Sequence, residues 1–178
     1  MALALPAGCA SVQEAKRHQV EIRVPAPAAR AAPAARARFV LLAADALPEP
    51  NLSRTAEYVL REKAPLSSAL LAAAASRMRA AGIEPLEARE GGMASGRIVV
   101  VLTRLEAQLE KTLWLASAAL TVEAADPSGR LTGRWETVGR GAHDDTRILA
   151  GAAGLAMGKA IAEALDRIPW DQLSRARP

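Results

Sequence analysis

The segment over residues 113–125 constrains the fold more than any other, because its side chains alternate along the chain between apolar and mostly polar. One face would carry Trp114, Ala116, Ala118, Leu120 and Val122, and the other Ser117, Thr121 and Glu123. This period of two predicts a strand with one buried and one wet face. A turn signal at 126–129 separates it from a predicted last strand at 131–138, and a strand with apolar residues on both faces is predicted before it at 97–106. The sequence therefore predicts a three-stranded antiparallel meander over residues 97–138.

Two segments carry apolar residues at the spacing of a helix that is buried on one side. The first covers about residues 67–81, with a stripe of Leu70, Leu71, Ala74, Met78 and Ala81, and ends before Gly82. The second covers Thr146 to Ile168, with a stripe of Ala153, Met157, Ile161, Ala164 and Ile168. This helix contains three glycines, Gly151, Gly154 and Gly158, and each lowers the stability of the helix by about 1 kcal/mol relative to alanine. They indicate that the helix backbone closely approaches another element, and Trp170 is expected to fold back onto the core.

The other apolar segments predict shorter strands. Residues 39–44 form a continuous apolar run, which is typical of a strand buried on both faces. Short strands are also predicted at 20–24, 58–60 and 83–87, and the rest of residues 46–65 is interpreted as a long, mobile connection. The predicted fold class is α+β, a mostly antiparallel sheet with a C-terminal three-stranded meander and two helices packed on one face.

Composition divides the chain into a tether and one domain. Residues 25–37 consist of proline, alanine and arginine only, a composition that favours an extended spacer over packing. At about 3.1 Å per residue such a spacer could hold a domain up to about 40 Å from a membrane. We therefore predict a tether over residues 9–37, a single domain over 38–173 and a tail over 174–178.

The only cysteine, Cys9, lies close to the start of the sequence and follows two small residues. The stretch Leu5-Pro6-Ala7-Gly8-Cys9 resembles a bacterial lipobox, in which the cysteine sulfur is lipidated and a peptidase cuts before it. By this resemblance residues 1–8 are a partial signal peptide without its basic segment, and Cys9 carries acyl chains that hold the protein on a membrane. Ala10, where an aspartate would mark inner-membrane retention, favours the outer membrane, with the domain in the periplasm. The alternative is a flexible terminus with one stray thiol.

The charge pattern argues against a nucleic-acid partner. The net charge is +4, but the arginines are spread along the chain, and the densest group, Arg30, Arg36 and Arg38, has only Phe39 as an aromatic neighbour. A nucleic-acid protein would carry a basic face with stacking or base-reading residues. A solvated or membrane-proximal basic tether fits these arginines better. No run reaches the roughly 18 apolar residues of a transmembrane helix, and we expect membrane attachment through the lipid anchor on Cys9.

Residues that could carry chemistry are few. His143-Asp144-Asp145 is the one cluster with an imidazole beside carboxylates, and we interpret it as the N-terminal cap of the second helix, because a zinc site would need further His or Cys ligands. The carboxylates of Glu84, Glu87 and Glu90 are interpreted as a solvated face. No nucleophile elbow, Walker motif or dinucleotide motif is present. The sequence therefore predicts a non-enzymatic protein without metal or cofactor.

The order of elements over residues 66–173 is similar to that of the YajG-like envelope lipoproteins. The likeness rests on the helix ending in Arg79-Ala80-Ala81-Gly82, the strand from Arg97 to Leu105, the segment Ala118–Val122 and the alanine-rich last helix. It implies a non-enzymatic binding or assembly module of the cell envelope with an envelope protein as partner, bound through the sheet or the 46–65 segment. Two alternatives stay open: an auxiliary lipoprotein of a lipid or lipopolysaccharide transport system, with a groove for an acyl chain, and an enzyme, with a converging polar pocket.

Overall fold

The computed structural model describes residues 16–28, 34–35, 37–48, 52–54, 58–145 and 150–175. Its strands are β1 (Lys16–Val20), β2 (Ala37–Asp45), β3 (Ser53–Arg54), β4 (Tyr58–Glu62), β5 (Ile83–Leu86), β6 (Arg97–Glu110), β7 (Leu113–Ala125) and β8 (Leu131–Asp144). Its helices are α1 (Leu66–Ala80), a 3₁₀ helix (Ala88–Met93), α2 (Ala150–Asp166) and α3 (Trp170–Arg175). The α+β fold class predicted from the sequence is confirmed.

The main sheet has five strands in the order β5-β2-β6-β7-β8. Strands β6, β7 and β8 form the predicted antiparallel meander, with a bulge between Leu102 and Arg104. The sheet as a whole is mixed, because β2 runs parallel to both β5 and β6. Parallel neighbours need a long crossover, and α1 supplies the one between β2 and β5.

Both long helices pack on one face of the main sheet, as predicted. The alternation of β7 is visible in its burial, since every second residue from Trp114 to Val122 is buried and the residues that alternate with them are half-exposed. Helix α2 packs on β7 and β8, while α1 packs on β2 and β5. The opposite face, which we call the open face, carries half-exposed residues and ion pairs such as Arg134 with Glu123.

A second, smaller sheet has the order β1-β4-β3. Strand β4 confirms the short strand predicted at 58–60, and Leu52 and Leu60 are each 1% exposed within the core. Residues 52–54 and 58–62 thus belong to a packed sheet, because Leu52 and Leu60 reach the core, and the prediction of a mobile connection is wrong for them.

The segment from Lys16 to Ala28 belongs to the domain. Strand β1 pairs in parallel with β4, Val20 is 1% exposed, and Ile22 and Val24 pack against the core. The predicted strand at 20–24 is therefore displaced to 16–20, and the prediction of a tether over 9–37 needs correction for residues 16–28. Val20 is buried, and Ile22 and Val24 are partly buried against the core, which the proline and alanine composition of the following residues does not indicate.

The glycine flank of α2 is where this segment approaches. A Cβ atom at Gly154 would overlap the carbonyl oxygen of Glu21, and one at Gly158 would overlap that of Arg23. The predicted close approach is confirmed for these two positions, but Gly151 faces open space. The helix end also agrees with prediction, since Trp170 is 7% exposed and its Nε1 donates a hydrogen bond to the Leu165 carbonyl at 2.9 Å.

Arg77 joins three parts of the fold from a position that is only 3% exposed. Its Nε donates to Asp166 Oδ1 of α2 at 2.7 Å, and its Nη atoms donate to the carbonyl oxygens of Pro25, Ala73 and Ala162 at 3.3 Å. A planar guanidinium with five donors can satisfy such a set of acceptors, whereas an ammonium cannot. Arg77 therefore fixes the N-terminal segment and α2 on α1.

Candidate functional site

The predicted lipidation site, Cys9, lies outside the described residues, and its modification stays a prediction. The first described residue, Lys16, follows it by seven positions and begins β1. Among the described residues, no helix is both long and apolar enough to cross a membrane.

The histidine and aspartate cluster lies at the end of β8. His143 and Asp144 are the last residues of that strand, because it continues further than the sequence pattern indicates, and the Asp145 amide donates to the Thr112 carbonyl at 3.0 Å. Residues 146–149, where the second helix is predicted to begin, lie outside the described residues, so its predicted cap stays a prediction. Within the described part of the chain, no group of three or more His, Cys, Asp or Glu side chains could hold a metal ion.

The three glutamates at 84, 87 and 90 lie at the surface and do not converge. Glu84 pairs with Arg38 at 2.8 Å, Glu87 pairs with Arg89 at 2.8 Å, and Glu90 Oε2 accepts a hydrogen bond from the Glu87 amide at 3.0 Å. Each carboxylate therefore has its own local partner in this arrangement.

The β8 edge of the main sheet is closed by side chains of α2. Glu163 Oε2 accepts a hydrogen bond from the Arg140 amide at 2.6 Å, and Lys159 Nζ donates to the Ala142 carbonyl at 2.9 Å. Arg167, just beyond the helix, donates to the Val138 carbonyl at 2.6 Å. The amide of Arg140, and secondarily the charge of Arg167, hold the pKa of Glu163 below its usual range. These contacts occupy backbone groups that would otherwise be open to a strand of another molecule.

Two glycines of β8 allow the helix to come this close. A Cβ atom at Gly139 would overlap the carbonyl oxygen of Ala160, and one at Gly141 would overlap that of Ala156. Side chains of Lys159 and Glu163 can reach over the strand edge because the helix backbone lies directly against the strand. The geometry leaves the part of this edge over residues 138–142 unsuited to a partner strand.

The opposite edge is stepped and less protected. Strand β5 pairs with β2 only as far as Val40, so the rest of β2 has no strand beside it on that side. Strand β6 pairs with β2 only as far as Leu102, so the rest of β6 likewise extends beyond β2. We call these two unpaired parts the β2 step and the β6 step. On the β6 step, the bulge and the exposed charges of Arg104 and Glu106 discourage pairing. The β2 step, Leu41–Asp45, carries no such charge before its last residue.

An apolar groove of 680 Å³ lies at the β2 step, between α1 and the segment that follows β5. We call it the edge groove. Its lining consists of Leu41, Leu42, Ser68, Leu71, Ala72, Ala75, Arg79, Pro85, Leu86, Glu87, Ala88 and Glu90. Leu42 and Leu71 are 39% and 41% exposed, and they are two of the five large hydrophobic side chains that are exposed in the described part of the chain. The groove can bind an apolar ligand, and its lining holds no histidine or cysteine that would suit nucleophilic or metal chemistry.

The residues that form this groove are the ones whose burial the sequence predicts wrongly. Leu71 belongs to the predicted apolar stripe of α1, and Leu42 to a strand predicted as buried on both faces. In the structure, Leu70 is 1% exposed and Leu41 is 5% exposed, while their neighbours Leu71 and Leu42 point away from the core. In each pair of adjacent leucines, only one side chain can occupy the core position. The leucine that is left over in each pair is the only sequence signal for the groove.

Comparison with known proteins gives the fold. A scan against protein-family models and a search of curated proteins both find no match. Among solved structures, protein XCC0632 from Xanthomonas campestris, assigned to the DUF330 family, is 15% identical, with 89% of this chain and 96% of that chain covered and a TM-score of 0.56. Lipoprotein GNA1162 from Neisseria meningitidis is 11% identical, with 60% and 83% covered and a TM-score of 0.42. A minor lipoprotein from Acinetobacter baumannii is 12% identical, with 82% and 100% covered and a TM-score of 0.43. The chain is therefore similar in fold to the Xanthomonas protein.

Proposed function

We propose that this chain is a non-enzymatic lipoprotein of the cell envelope, anchored through Cys9, that binds a partner at the edge groove. The observation that carries the proposal is the short distance in sequence between the lipobox-like cysteine and the packed domain. Seven residues span at most about 25 Å when fully extended. An anchored Cys9 would therefore keep the domain close to the membrane surface, without the spacer of about 40 Å that composition indicates.

The exposed residues at the start of the domain suit such a position. Lys16, Arg17 and His18 of β1 are exposed, and they are the first described residues after Cys9. Basic side chains near an anionic membrane surface contribute roughly 1 kcal/mol each to attraction. This contribution adds to that of the acyl chains, of which two or more are needed for stable attachment.

The edge groove supports a binding role because it combines exposed leucines with an unprotected strand edge. The outer-membrane location and the relationship to YajG-like proteins remain part of this proposal.

An auxiliary role in lipid or lipopolysaccharide transport is the second candidate, and the apolar lining of the groove favours it. In that case the occupant of the groove would be an acyl chain. The groove is open to solvent along its length, which suits a transient contact better than storage of a lipid.

Metabolic labelling with palmitate tests the anchor. The chain is expressed behind a complete basic signal segment in a Gram-negative host, beside a Cys9→Ser variant. We expect label in the parent and none in the variant, which should accumulate unprocessed. Label that survives the substitution would show that Cys9 is not the site.

Photo-crosslinking in the same cells tests the binding surface. A photoreactive amino acid at position 71 lines the groove, and one at position 155 serves as the control, because Leu71 and Leu155 are both 41% exposed on helices. We expect a discrete crosslinked partner from position 71 only. Equal crosslinking from both positions would argue against a specific site in the groove.

A further inference from the structure

Beside the edge groove, the backbone of β2 has hydrogen-bonding groups that no described neighbouring strand pairs with. The Val40 amide donates to the Gly96 carbonyl and the Ala46 amide donates to the Leu102 carbonyl, so even-numbered residues of β2 face β6. Alternate residues of a strand in a parallel ladder face opposite neighbours. The N–H and C=O of Ala43 and the N–H of Asp45 therefore point to the other side, where no described strand continues the sheet beyond the pair Val40 and Leu86.

These backbone groups distinguish between possible ligands. An acyl chain would cover Leu42 and Leu71 but would remove the Ala43 N–H and C=O from water without replacing their hydrogen bonds. Burying an amide in this way costs on the order of 1–3 kcal/mol per group. An extended peptide satisfies the same groups and places alternate side chains against the apolar walls.

We propose that the edge groove binds an extended peptide segment of a partner protein, which adds to the main sheet as a strand beside Leu41–Asp45. This inference rests on the proposed function and names the class of partner for the same site. The added strand occupies the position in line with β5, with α1 on one side and the segment around Glu87 on the other.

Charge at the end of the step adds a sequence preference. Asp45, the last residue of the β2 step, is exposed. Its carboxylate favours a cation beside it. The partner segment therefore alternates apolar residues and carries a lysine or arginine at the end that lies beside Asp45.

Selection from a library of displayed heptapeptides on the full chain tests the proposal. Three variants are compared with the parent. Ala43→Pro removes the N–H at the free edge and leaves the pairing with β6 intact. Leu71→Ser removes an apolar wall of the groove, and Leu155→Ser is the matched control. Proline is tolerated at an edge position whose N–H faces outward. We expect enriched peptides with alternating apolar residues, binding that falls at least about tenfold in the first two variants and stays unchanged in the control.

Hydrogen exchange provides a second measurement on the folded parent. The Ala43 amide should exchange more slowly when an enriched peptide is bound, while the Val40 amide, already paired with Gly96, should not change. A library that yields no peptide sensitive to both Ala43→Pro and Leu71→Ser overturns the proposal.

A fluorescent fatty acid, 11-dansylaminoundecanoic acid, distinguishes the lipid alternative. If it binds to the parent and to Ala43→Pro equally, is displaced by no peptide and is lost in Leu71→Ser, the groove holds acyl chains and the peptide proposal is wrong. The proposed function is tested separately, because palmitate labelling and crosslinking from position 71 do not depend on the Ala43 amide.

Discussion

Two alanine substitutions on α2 should destabilise the protein although alanine is the better helix former. Gly154→Ala and Gly158→Ala each gain about 1 kcal/mol of intrinsic helix propensity. In the structure, however, the new methyl group would overlap backbone atoms of Glu21 or Arg23, and at Gly154 it would also lie 2.7 Å from Val20 Cγ1. Because the obstacle is mainly backbone, rotation of a side chain cannot relieve it, and the N-terminal segment has to move away from α2.

The cost follows from what that movement exposes. Val20 is 1% exposed, and full burial of a valine side chain contributes about 1.5–3 kcal/mol. Partial exposure of Ile22 and Val24 adds to this, and the propensity gain offsets about 1 kcal/mol. We therefore expect each substitution to lower the free energy of unfolding by about 1–2 kcal/mol, or Tm by about 2–8 °C.

Gly151→Ala is the matched control on the same helix. A Cβ atom there meets nothing within 4 Å, so this substitution should stabilise the protein by up to about 1 kcal/mol. Urea unfolding of the three variants beside the parent gives the free energies, and trypsin cleavage after Arg23 reports displacement of the segment. If Gly158→Ala stabilises as Gly151→Ala does, the N-terminal segment is not seated on α2 and the corrected domain boundary is wrong.

Two further predictions concern the contacts that fix α2. Arg77→Met keeps the volume of the side chain but leaves the Pro25 and Ala162 carbonyls without their donor. The free energy of unfolding, measured with urea, should therefore fall by about 1–3 kcal/mol. Arg77→Lys should not restore it, because an ammonium group cannot reach the same set of acceptors. The Arg140 amide lowers the pKa of the Glu163 carboxyl in the folded state, so its stabilising effect is present above the unfolded pKa and is lost as pH falls through the folded pKa. Unfolding of the parent and of Glu163→Gln should therefore differ most near neutral pH and converge in acid, and a difference that grows on acidification would contradict the assignment.

The meander and the helices were predictable because each has a simple period. In β7, every second residue from Trp114 onward is buried, and the same period defines one face of the sheet. In α2, Met157 and Ile161 identify the buried side, and Lys159 identifies the exposed side. Local periodicity is sufficient here since the two faces of these elements differ strongly in polarity.

The N-terminal segment was not predictable from local pattern. Val20, Ile22 and Val24 alternate with charged residues as a solvated strand would, and the proline and alanine residues after them indicate a spacer. What holds the segment lies far along the chain, in the glycines at 154 and 158 and in the guanidinium of Arg77. The sequence shows that those glycines need a close neighbour, but it does not identify the neighbour.

The small residues of α2 explain why the groove lies on the other side of the molecule. Ala156 and Ala160 let β8 approach one side of the helix, and Gly154 and Gly158 let the N-terminal segment approach another. The side of α2 that remains exposed carries Lys159 and Glu163, whose long side chains reach the β8 edge and occupy it. Over residues 138–142 these side chains block pairing of β8 with a further strand. The proposed partner segment instead lies at the stepped edge, where Leu42 and Leu71 are exposed and Arg79 is the charged residue of α1 in the groove lining. A helix of alanine and glycine thus fixes the compact N-terminal packing and protects part of one sheet edge.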